Sequence, residues 1–339
     1  MEIKANRSIE AFLKRCHDNL VHDQKNEFLG MTISKEEEKV VQRQLKQAKF
    51  SEFKEDEESW PSLYISSKDF SQRPFPQQVN LSKISTNEFS YTKEILPANE
   101  LFNVDSIMFD PNGELNDSMK LRALDEPVES ICLWQNDQLW MLDAPSEANT
   151  IDPCANRAKG NVCTFGLGIG YFIFMANLNP AVTSITVIEK QQSVIDLFKQ
   201  DIYPQFKMSK PLTIICGDGL DYYNQEFLSQ FDYVFVDMWQ SSDDGLLMIE
   251  ACLQQYNGPI AQVDFWIESS CLEIMPTLIY LYISSKVYKK RPAIDYQYKA
   301  LYKKVETFLN QDSQIITTVA ACKQIMYSRQ LHRDILASK

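Results

Sequence analysis

Five short apolar segments between residues 161 and 266 alternate with four longer segments whose pattern predicts helices. Strands that alternate with helices of about ten to fifteen residues are typical of βαβ units, which build a parallel sheet. The apolar segments are almost continuously hydrophobic, as strands covered on both faces need to be. In chain order they are NVCTFGL, SITVIEK, PLTIICGD, FDYVFVDMW and PIAQVDFW. The sequence therefore predicts an α/β fold with a doubly wound parallel sheet.

The residues before this core predict helices followed by irregular structure. Residues 7–55 have the pattern of charged, amphipathic helix, and Ser8 is placed to cap its first turn. Within that range, the segment SKEEEKVVQRQLKQAKF carries acids early and bases late, which suits the helix dipole. From Trp60 to about Asn103, proline, serine and isolated aromatic residues indicate loops with short strands, and FDPNG further on predicts a turn.

A β-hairpin is predicted immediately before the core, and helices are predicted after it. The segment SICLWQNDQLWMLD, from Ser130 to Asp143, has two apolar runs around residues 135–137. Beyond Glu268 the pattern is mostly helical, with strand character in SQIITTVAA. These changes divide the chain into a mixed N-terminal accessory region (1–127), an α/β domain (128–270) and a mostly helical C-terminal segment (271–339).

A glycine-rich turn, VCTFGLGIGYF, joins the first strand of the core to its first helix. Gly166, Gly168 and Gly170 lie there at alternate positions. Glycine permits a tight turn and lets a ligand touch the backbone, although packing alone can also require it. Ligands of open parallel sheets bind at the carboxyl ends of the strands, where free N–H groups of a following helix point outward. The turn therefore predicts a ligand site at this edge.

Three carboxylates follow the glycines at the same edge of the sheet. Glu189 ends the second strand, Asp218 the third and Asp237 the fourth, at intervals of 23, 29 and 19 residues counted from Gly166. Each alone is equally compatible with a helix cap or a solvated strand end, but together with the glycines they favour a nucleotide site. The bulky Tyr171 argues against the dinucleotide fingerprint, and the sequence contains no Gly-Lys-Ser/Thr phosphate loop.

These motifs in this order resemble the class I S-adenosylmethionine-dependent methyltransferases, and within them the spermidine-synthase-like branch. The resemblance covers residues 162–266 and, more weakly, the hairpin before them. It implies a Rossmann-like sheet with S-adenosylmethionine as the cofactor. It also implies a role for each motif: Gly166, Gly168 and Gly170 against the amino-acid end of the cofactor, Glu189 on the ribose hydroxyls, Gly217, Asp218 and Gly219 at the adenine, and Asp237 facing the sulfonium and the acceptor.

Two departures from the family pattern bear on the reaction. Thr164 stands where many methyltransferases have an acid, although polyamine synthases often lack that acid as well. Polyamine synthases usually continue strand four with Asp-Ser-Ser/Thr-Asp-Pro, whereas this chain has DMWQSSDDG, with Gln240 at the second acidic position. Asp243 and Asp244 either replace that acid or cap the next helix, and we favour capping.

The resemblance implies methyl transfer, for which the protein need only align the acceptor, deprotonate it where required and exclude water. Asp237 is the candidate catalytic residue. Trp239, Tyr171 and Trp266 either wall an acceptor pocket or serve as ordinary core aromatics. Three functions stay open: a small-molecule methyltransferase, which the sequence favours, an aminopropyltransferase of the polyamine-synthase type, and a non-catalytic binding or scaffold protein that retains the fold.

Composition limits the kinds of binding partner and the cellular compartment to be expected. The formal net charge of −12 and the lack of a basic stripe with interleaved aromatics disfavour nucleic acid, so a small-molecule acceptor is expected. The longest apolar run, IMPTLIYLYI, is too short to span a bilayer, and no signal peptide is recognisable. Eight scattered cysteines without a C-x-x-C pair, and only three histidines, predict a reduced cytoplasmic protein without a metal site. Self-association stays open.

Overall fold

The computed structural model describes residues 1–81, 84, 89–135, 138–259 and 262–338. The strands are β1 (Glu2–Ile3), β2 (Tyr64–Ile65), β3 (Phe89–Leu96), β4 (Phe102–Asn103), β5 (Leu121–Leu124), β6 (Val128–Gln135), β7 (Gln138–Leu142), β8 (Gly160–Phe165), β9 (Val182–Glu189), β10 (Leu212–Cys216), β11 (Tyr233–Val236), β12 (Val263–Phe265) and β13 (Ile315–Ile316).

The helices follow the same numbering in chain order. They are α1 (Arg7–Val21), α2 (Glu38–Gln47), α3 (Ser67–Ser71), α4 (Pro74–Gln78), α5 (Pro145–Arg157), α6 (Tyr171–Leu178), α7 (Gln192–Leu197), α8 (Gly219–Tyr222), α9 (Gln225–Leu228), α10 (Ser242–Gln255), α11 (Glu268–Cys271), α12 (Ile274–Tyr288), α13 (Lys299–Gln311), α14 (Val319–Tyr327) and α15 (Arg329–Ala337).

The five apolar segments form one parallel sheet, as the sequence predicts. Its strand order is β10-β9-β8-β11-β12, and every neighbouring pair is parallel. Counted along the chain this is the order 3-2-1-4-5, which is Rossmann-like. The order reverses direction on the two sides of β8, so the loops after β8 and β11 diverge there and leave a crevice at the carboxyl edge. The doubly wound arrangement of the helices stays a prediction.

Local details of two predicted helices differ from the sequence prediction. The segment 219–230 is not one helix, because the chain breaks between α8 and α9, where the Asn224 side chain accepts the Phe227 N–H and caps the second. At the start of α1 the cap is Asn6 and not Ser8: the Asn6 side chain accepts the N–H groups of Ser8 and Ile9. An amide oxygen two or three residues upstream satisfies the same orphan donors that a serine would.

Ahead of the parallel sheet, the chain forms the predicted hairpin, the predicted turn and a small buried cluster. The predicted hairpin exists as β6 and β7, extended by β3 into an antiparallel sheet, while its predicted turn at residues 136–137 lies outside the described residues. The predicted FDPNG turn is present, with the Gly113 N–H bonded to the Asp110 carbonyl. A separate buried cluster collects the apolar residues Ile33, Val41, Leu45, Phe50, Phe53, Trp60, Leu63, Leu101, Met119, Leu121 and Ala123.

The two ends of the chain meet beside the main sheet. β1 pairs in parallel with β13, and the buried face of α1 shares the main apolar core with α12 and α14. At β12, the last strand of the sheet in the described residues, the Arg333 guanidinium donates to the Val263 carbonyl at 3.0 Å. The same group pairs with Glu268, so α15 closes the sheet edge with a buried ion pair. The domain boundaries at 127 and 270 stay predictions.

Two further features are plain in the described part of the chain. All eight cysteines are free thiols, and all but Cys216 are buried. None of the helices described combines the length and apolar character that crossing a bilayer requires.

Candidate functional site

A cleft of ≈ 440 Å³ lies at the carboxyl edge of the parallel sheet. That volume is within the usual range for small-molecule sites. The cleft brings together six of the eight residues that the sequence singled out, namely Gly166, Gly168, Glu189, Asp218, Gly219 and Asp237. Gly170 and Gly217 do not belong to its lining, and their contact with a ligand stays a prediction.

Gly166 is required first by the protein's own backbone. It has φ +93°, and a Cβ at this position would lie closer than 3.0 Å to the carbonyl oxygen of Asp237. The Asp237 N–H in turn bonds to the carbonyl of Phe165 at 2.9 Å. Glycine therefore lets the turn after β8 pack closely against the end of the neighbouring strand β11, where Asp237 lies.

The other two glycines of the turn have different surroundings. Gly170 has φ +78° and begins α6, where a side chain would meet the rings of Phe198 and Phe206. Gly168 has φ +50° and lines the cleft. Gly166 and Gly168 both have a left-handed conformation and line the cleft, but the Asp237 carbonyl fills the space that a side chain of Gly166 would take, so Gly168 is where a ligand can approach the backbone most closely.

Glu189 holds the glycine turn in place. Its side chain is 8% exposed, and one carboxylate oxygen accepts the Leu167 N–H at 3.0 Å while the other accepts the Gln191 N–H at 2.8 Å. Each carboxylate oxygen has a second lone pair, so Glu189 retains the capacity to accept hydroxyl groups from a ligand. The structure gives this residue a supporting role that the sequence did not reveal.

Asp218 is engaged at the other side of the cleft. Its carboxylate caps α8 through the Leu220 N–H and pairs with the Lys190 ammonium at 2.7 Å. The hydrogen bond from Lys190, with a further one from Leu220, lowers the pKa of Asp218. Both side chains are more than one-third exposed, so this ion pair is screened by solvent and opens easily for a competing ligand.

Asp237 faces a second acid that the sequence reading missed. Glu147, on the first turn of α5, lines the same cleft, and burial followed by the charge of Asp143 raises its pKa to about 7. Burial, with the nearby Glu147 as a second cause, raises the pKa of Asp237 well above its usual value. Nothing in the local sequence marks Glu147, because it precedes the core and joins Asp237 only through folding.

The aromatic residues and the acids after β11 fall into distinct roles. Trp239 and Trp266 are buried and line the cleft, whereas Tyr171 does not line it and donates its hydroxyl to Asp152 at 2.9 Å. The helix α10 is capped by Ser241, with Asp244 completing a capping box. Of the two acids whose role the sequence left open, Asp244 serves the helix cap, as we favoured, and it also borders the cleft, whereas Asp243 contributes its backbone N–H to the Ser241 hydroxyl.

The cleft is strongly acidic. Among the described residues that line it, one lysine, Lys190, faces five acids: Glu147, Glu189, Asp218, Asp237 and Asp244. Carboxylates at this density repel phosphate groups and attract cations. Burial first, and a neighbouring carboxylate second, raises the pKa of both Glu147 and Asp237.

Comparisons with known proteins give a coarse likeness in fold. No protein-family model matches, and no curated protein is detectably similar in sequence. A spermidine synthase from Thermotoga maritima overlaps 48% of this chain and 60% of its own, with 10% identity and a TM-score of 0.28. A spermidine synthase in complex with the transition-state analogue AdoDATO overlaps 48% and 59%, with 11% identity and a TM-score of 0.28. Human methyltransferase-like protein 13 in complex with SAH overlaps 45% and 96%, with 14% identity and a TM-score of 0.27. The chain spans about three-fifths of the length of these two spermidine synthases.

Proposed function

We propose that this protein is an S-adenosylmethionine-dependent methyltransferase of the spermidine-synthase-like branch that acts on a small-molecule acceptor. The observation that carries the proposal is the acidic cleft at the glycine turn of a 3-2-1-4-5 parallel sheet. Nucleotide cofactors with phosphate groups would be repelled there, whereas a cationic cofactor would be attracted. The proposal includes a doubly wound core and small-molecule partners without nucleic acid.

The polar groups of the cleft fit a nucleoside that carries a sulfonium. Glu189 has lone pairs left for ribose hydroxyls, and Asp218 can exchange Lys190 for an amino group. The open backbone at Gly168 suits the amino-acid end. When bound, S-adenosylmethionine supplies a methyl group that its positive sulfonium already activates.

Asp237 and the side chains around it would position the acceptor and exclude water. Burial raises the pKa of Asp237, and a bound cation would lower it again and favour the ionised carboxylate, which is the form that can accept a proton. Asp237 would then orient the acceptor or take its proton. The buried rings of Trp239 and Trp266 would keep water from the reacting atoms.

Aminopropyl transfer from the decarboxylated cofactor is the second candidate. One observation favours it: Glu147 supplies beside Asp237 the second acid that Gln240 does not provide. Removing the carboxylate makes the cofactor more positive, which an acidic cleft tolerates well. The two cofactor forms therefore have to be compared directly.

The test is calorimetric titration of the purified protein with S-adenosylmethionine and with its decarboxylated form. The variant Glu189→Gln removes the charge but keeps an oxygen that can accept the Leu167 N–H, and it should weaken binding at least tenfold. The control Asp196→Asn changes an exposed acid on α7 outside the cleft and should leave affinity unchanged.

Each outcome separates the candidates. Preferred binding of S-adenosylmethionine, lost in Glu189→Gln, supports a methyltransferase and justifies an acceptor screen. Preferred binding of the decarboxylated form transfers the proposal to aminopropyl transfer. Absence of binding of either form at millimolar concentration overturns both and leaves the scaffold role.

A further inference from the structure

A second cavity, of ≈ 590 Å³, lies beside the last strand of the parallel sheet and is separate from the acidic cleft. It is enclosed by one face of α5, by β12 and α11, by the loop at residues 105–109, and by α14 and α15. Trp266 and Thr150 form the wall between the two spaces, since Trp266 lines the cleft, Thr150 lines the cavity and the indole N–H donates to the threonine hydroxyl at 3.0 Å.

The charged groups of this cavity are built around one buried carboxylate. Asp264 accepts Arg157 through one oxygen, at 2.8 and 2.9 Å, and Arg329 through the other, at 3.1 Å. The Tyr233 hydroxyl donates to the oxygen that Arg157 uses. Burial alone would raise the pKa of Asp264, but the hydrogen bonds from Tyr233 and the arginines outweigh it and lower the pKa. The two guanidinium groups are thus fixed on opposite sides of one ionised carboxylate.

The network carries an excess of positive charge. Arg329 and Arg333 both bind Glu268, so three guanidinium groups share two carboxylates. Asp105 also lines the cavity, but Lys120 lies 3.7 Å from it and balances its charge. One uncompensated positive charge therefore remains, in a protein whose formal net charge is −12.

Both arginines that line the cavity have a guanidinium nitrogen, Nη1, that makes no hydrogen bond within the described residues. Arg157 and Arg329 donate hydrogen bonds to their carboxylates through Nε and Nη2. Within the described residues, no hydrogen bond uses Nη1 of either arginine. Their side chains are 55% and 42% exposed, so these donors remain open to a ligand. Guanidinium groups held in place lose little freedom on binding a further oxyanion.

One side of the lining is apolar and aromatic. Phe109 stands edge-on to Tyr327 and to His332, whose imidazole is buried, and burial lowers the pKa of His332 to about 4, so the ring is neutral near pH 7. Pro153 and Leu272 complete this side. A ligand with an apolar or aromatic body and one oxyanion would match both halves of the cavity.

We propose that this cavity is a binding site for a small organic anion, in which Arg157 and Arg329 hold a carboxylate or phosphate group and the wall around Phe109 holds an aromatic or apolar body. The site is independent of the proposed methyltransferase activity. Its chemistry is opposite to that of the acidic cleft, and the Trp266–Thr150 wall lets both sites be occupied together.

The experiment is titration calorimetry at low salt with benzoate, phenyl phosphate and benzyl alcohol as probes. We expect at least one anionic probe to bind and the neutral alcohol of similar size not to bind. Arg329→Gln leaves the network electrically neutral and should weaken binding at least tenfold, as should Arg157→Gln. Arg15→Gln, which removes a half-exposed arginine paired with Glu114 outside the cavity, is the matched control and should bind as the wild type does.

A second variant keeps the proposal testable if the arginine variants do not fold. Ser106→Trp fills the cavity from the half-buried loop at residues 105–109 without changing its charge, and it should abolish binding. Binding of benzoate alone, or of phenyl phosphate alone, supports the site and identifies its anion as carboxylate or phosphate. No binding of either at millimolar concentration, equal binding of the alcohol, or undiminished binding to Ser106→Trp overturns the proposal.

Discussion

Replacing Gly166 by alanine tests whether this glycine serves the protein's own backbone. The new Cβ would lie closer than 3.0 Å to the Asp237 carbonyl oxygen, so the ends of β8 and β11 would have to separate. Alanine at φ +93° adds about 1–2 kcal/mol of left-handed strain. Weakening the bond between the Asp237 N–H and the Phe165 carbonyl adds about 0.5–1.5 kcal/mol, and overpacking adds roughly 1–3 kcal/mol.

Together these contributions span about 2.5–6.5 kcal/mol, so we expect Gly166→Ala to lower the free energy of unfolding by about 4 kcal/mol in the absence of any ligand. Urea unfolding followed by tryptophan fluorescence and far-UV circular dichroism measures this directly. Most domains have about 5–15 kcal/mol of stability, so the variant should still fold.

Gly30→Ala is the matched control for backbone strain. Gly30 has φ +76°, but its nearest neighbour, a carboxylate oxygen of Glu100, would lie 3.9 Å from the new Cβ. This variant keeps the strain and lacks the clash, so we expect a loss of about 1 kcal/mol. A loss in Gly166→Ala no larger than in Gly30→Ala would refute the close-approach argument and return the glycine to a purely ligand-related role.

Three further predictions follow from buried charges. Arg333→Met should lower the free energy of unfolding by about 3–5 kcal/mol in urea titrations, because Glu268 loses its most buried partner, and a loss under about 1 kcal/mol would contradict this. Burial lowers the pKa of His332 to about 4, below its unfolded value of 6.5, so its contribution to stability is complete above pH 6.5 and is lost as the pH falls toward 4. Between pH 7 and pH 5 the wild type should lose roughly 2 kcal/mol more than His332→Phe in denaturant titrations, and parallel pH profiles would disprove the assignment. The pKa of Glu147 is raised to about 7, so binding of a cationic cofactor near pH 7 should release protons. Calorimetry in buffers of different ionisation enthalpy measures this release, which should be smaller in Glu147→Gln. Equal proton release in both proteins would show that Glu147 does not belong to the site.

The sheet and its edge were predictable because their signals are local. A strand covered on both faces is apolar along its whole length, and a helix between strands has its own periodicity, so residues 161–266 could be assigned without any long-range contact. Parallel strands end at one edge, which is why Glu189, Asp218 and Asp237 could be placed together from the sequence.

The tertiary structure decided what these residues contact. Glu147 lies 90 residues before Asp237 in the chain, and only folding brings the two acids to one cleft and raises both pKa values. Glycine is needed at position 166 because a carbonyl group after the neighbouring strand packs against it, and the sequence around Gly166 could not show this. The second cavity depends on Arg157, Asp264 and Arg329, which come from α5, β12 and α15. Pattern along the chain predicts which elements form, whereas burial and electrostatic coupling arise from distances through space, which only the packed chain defines.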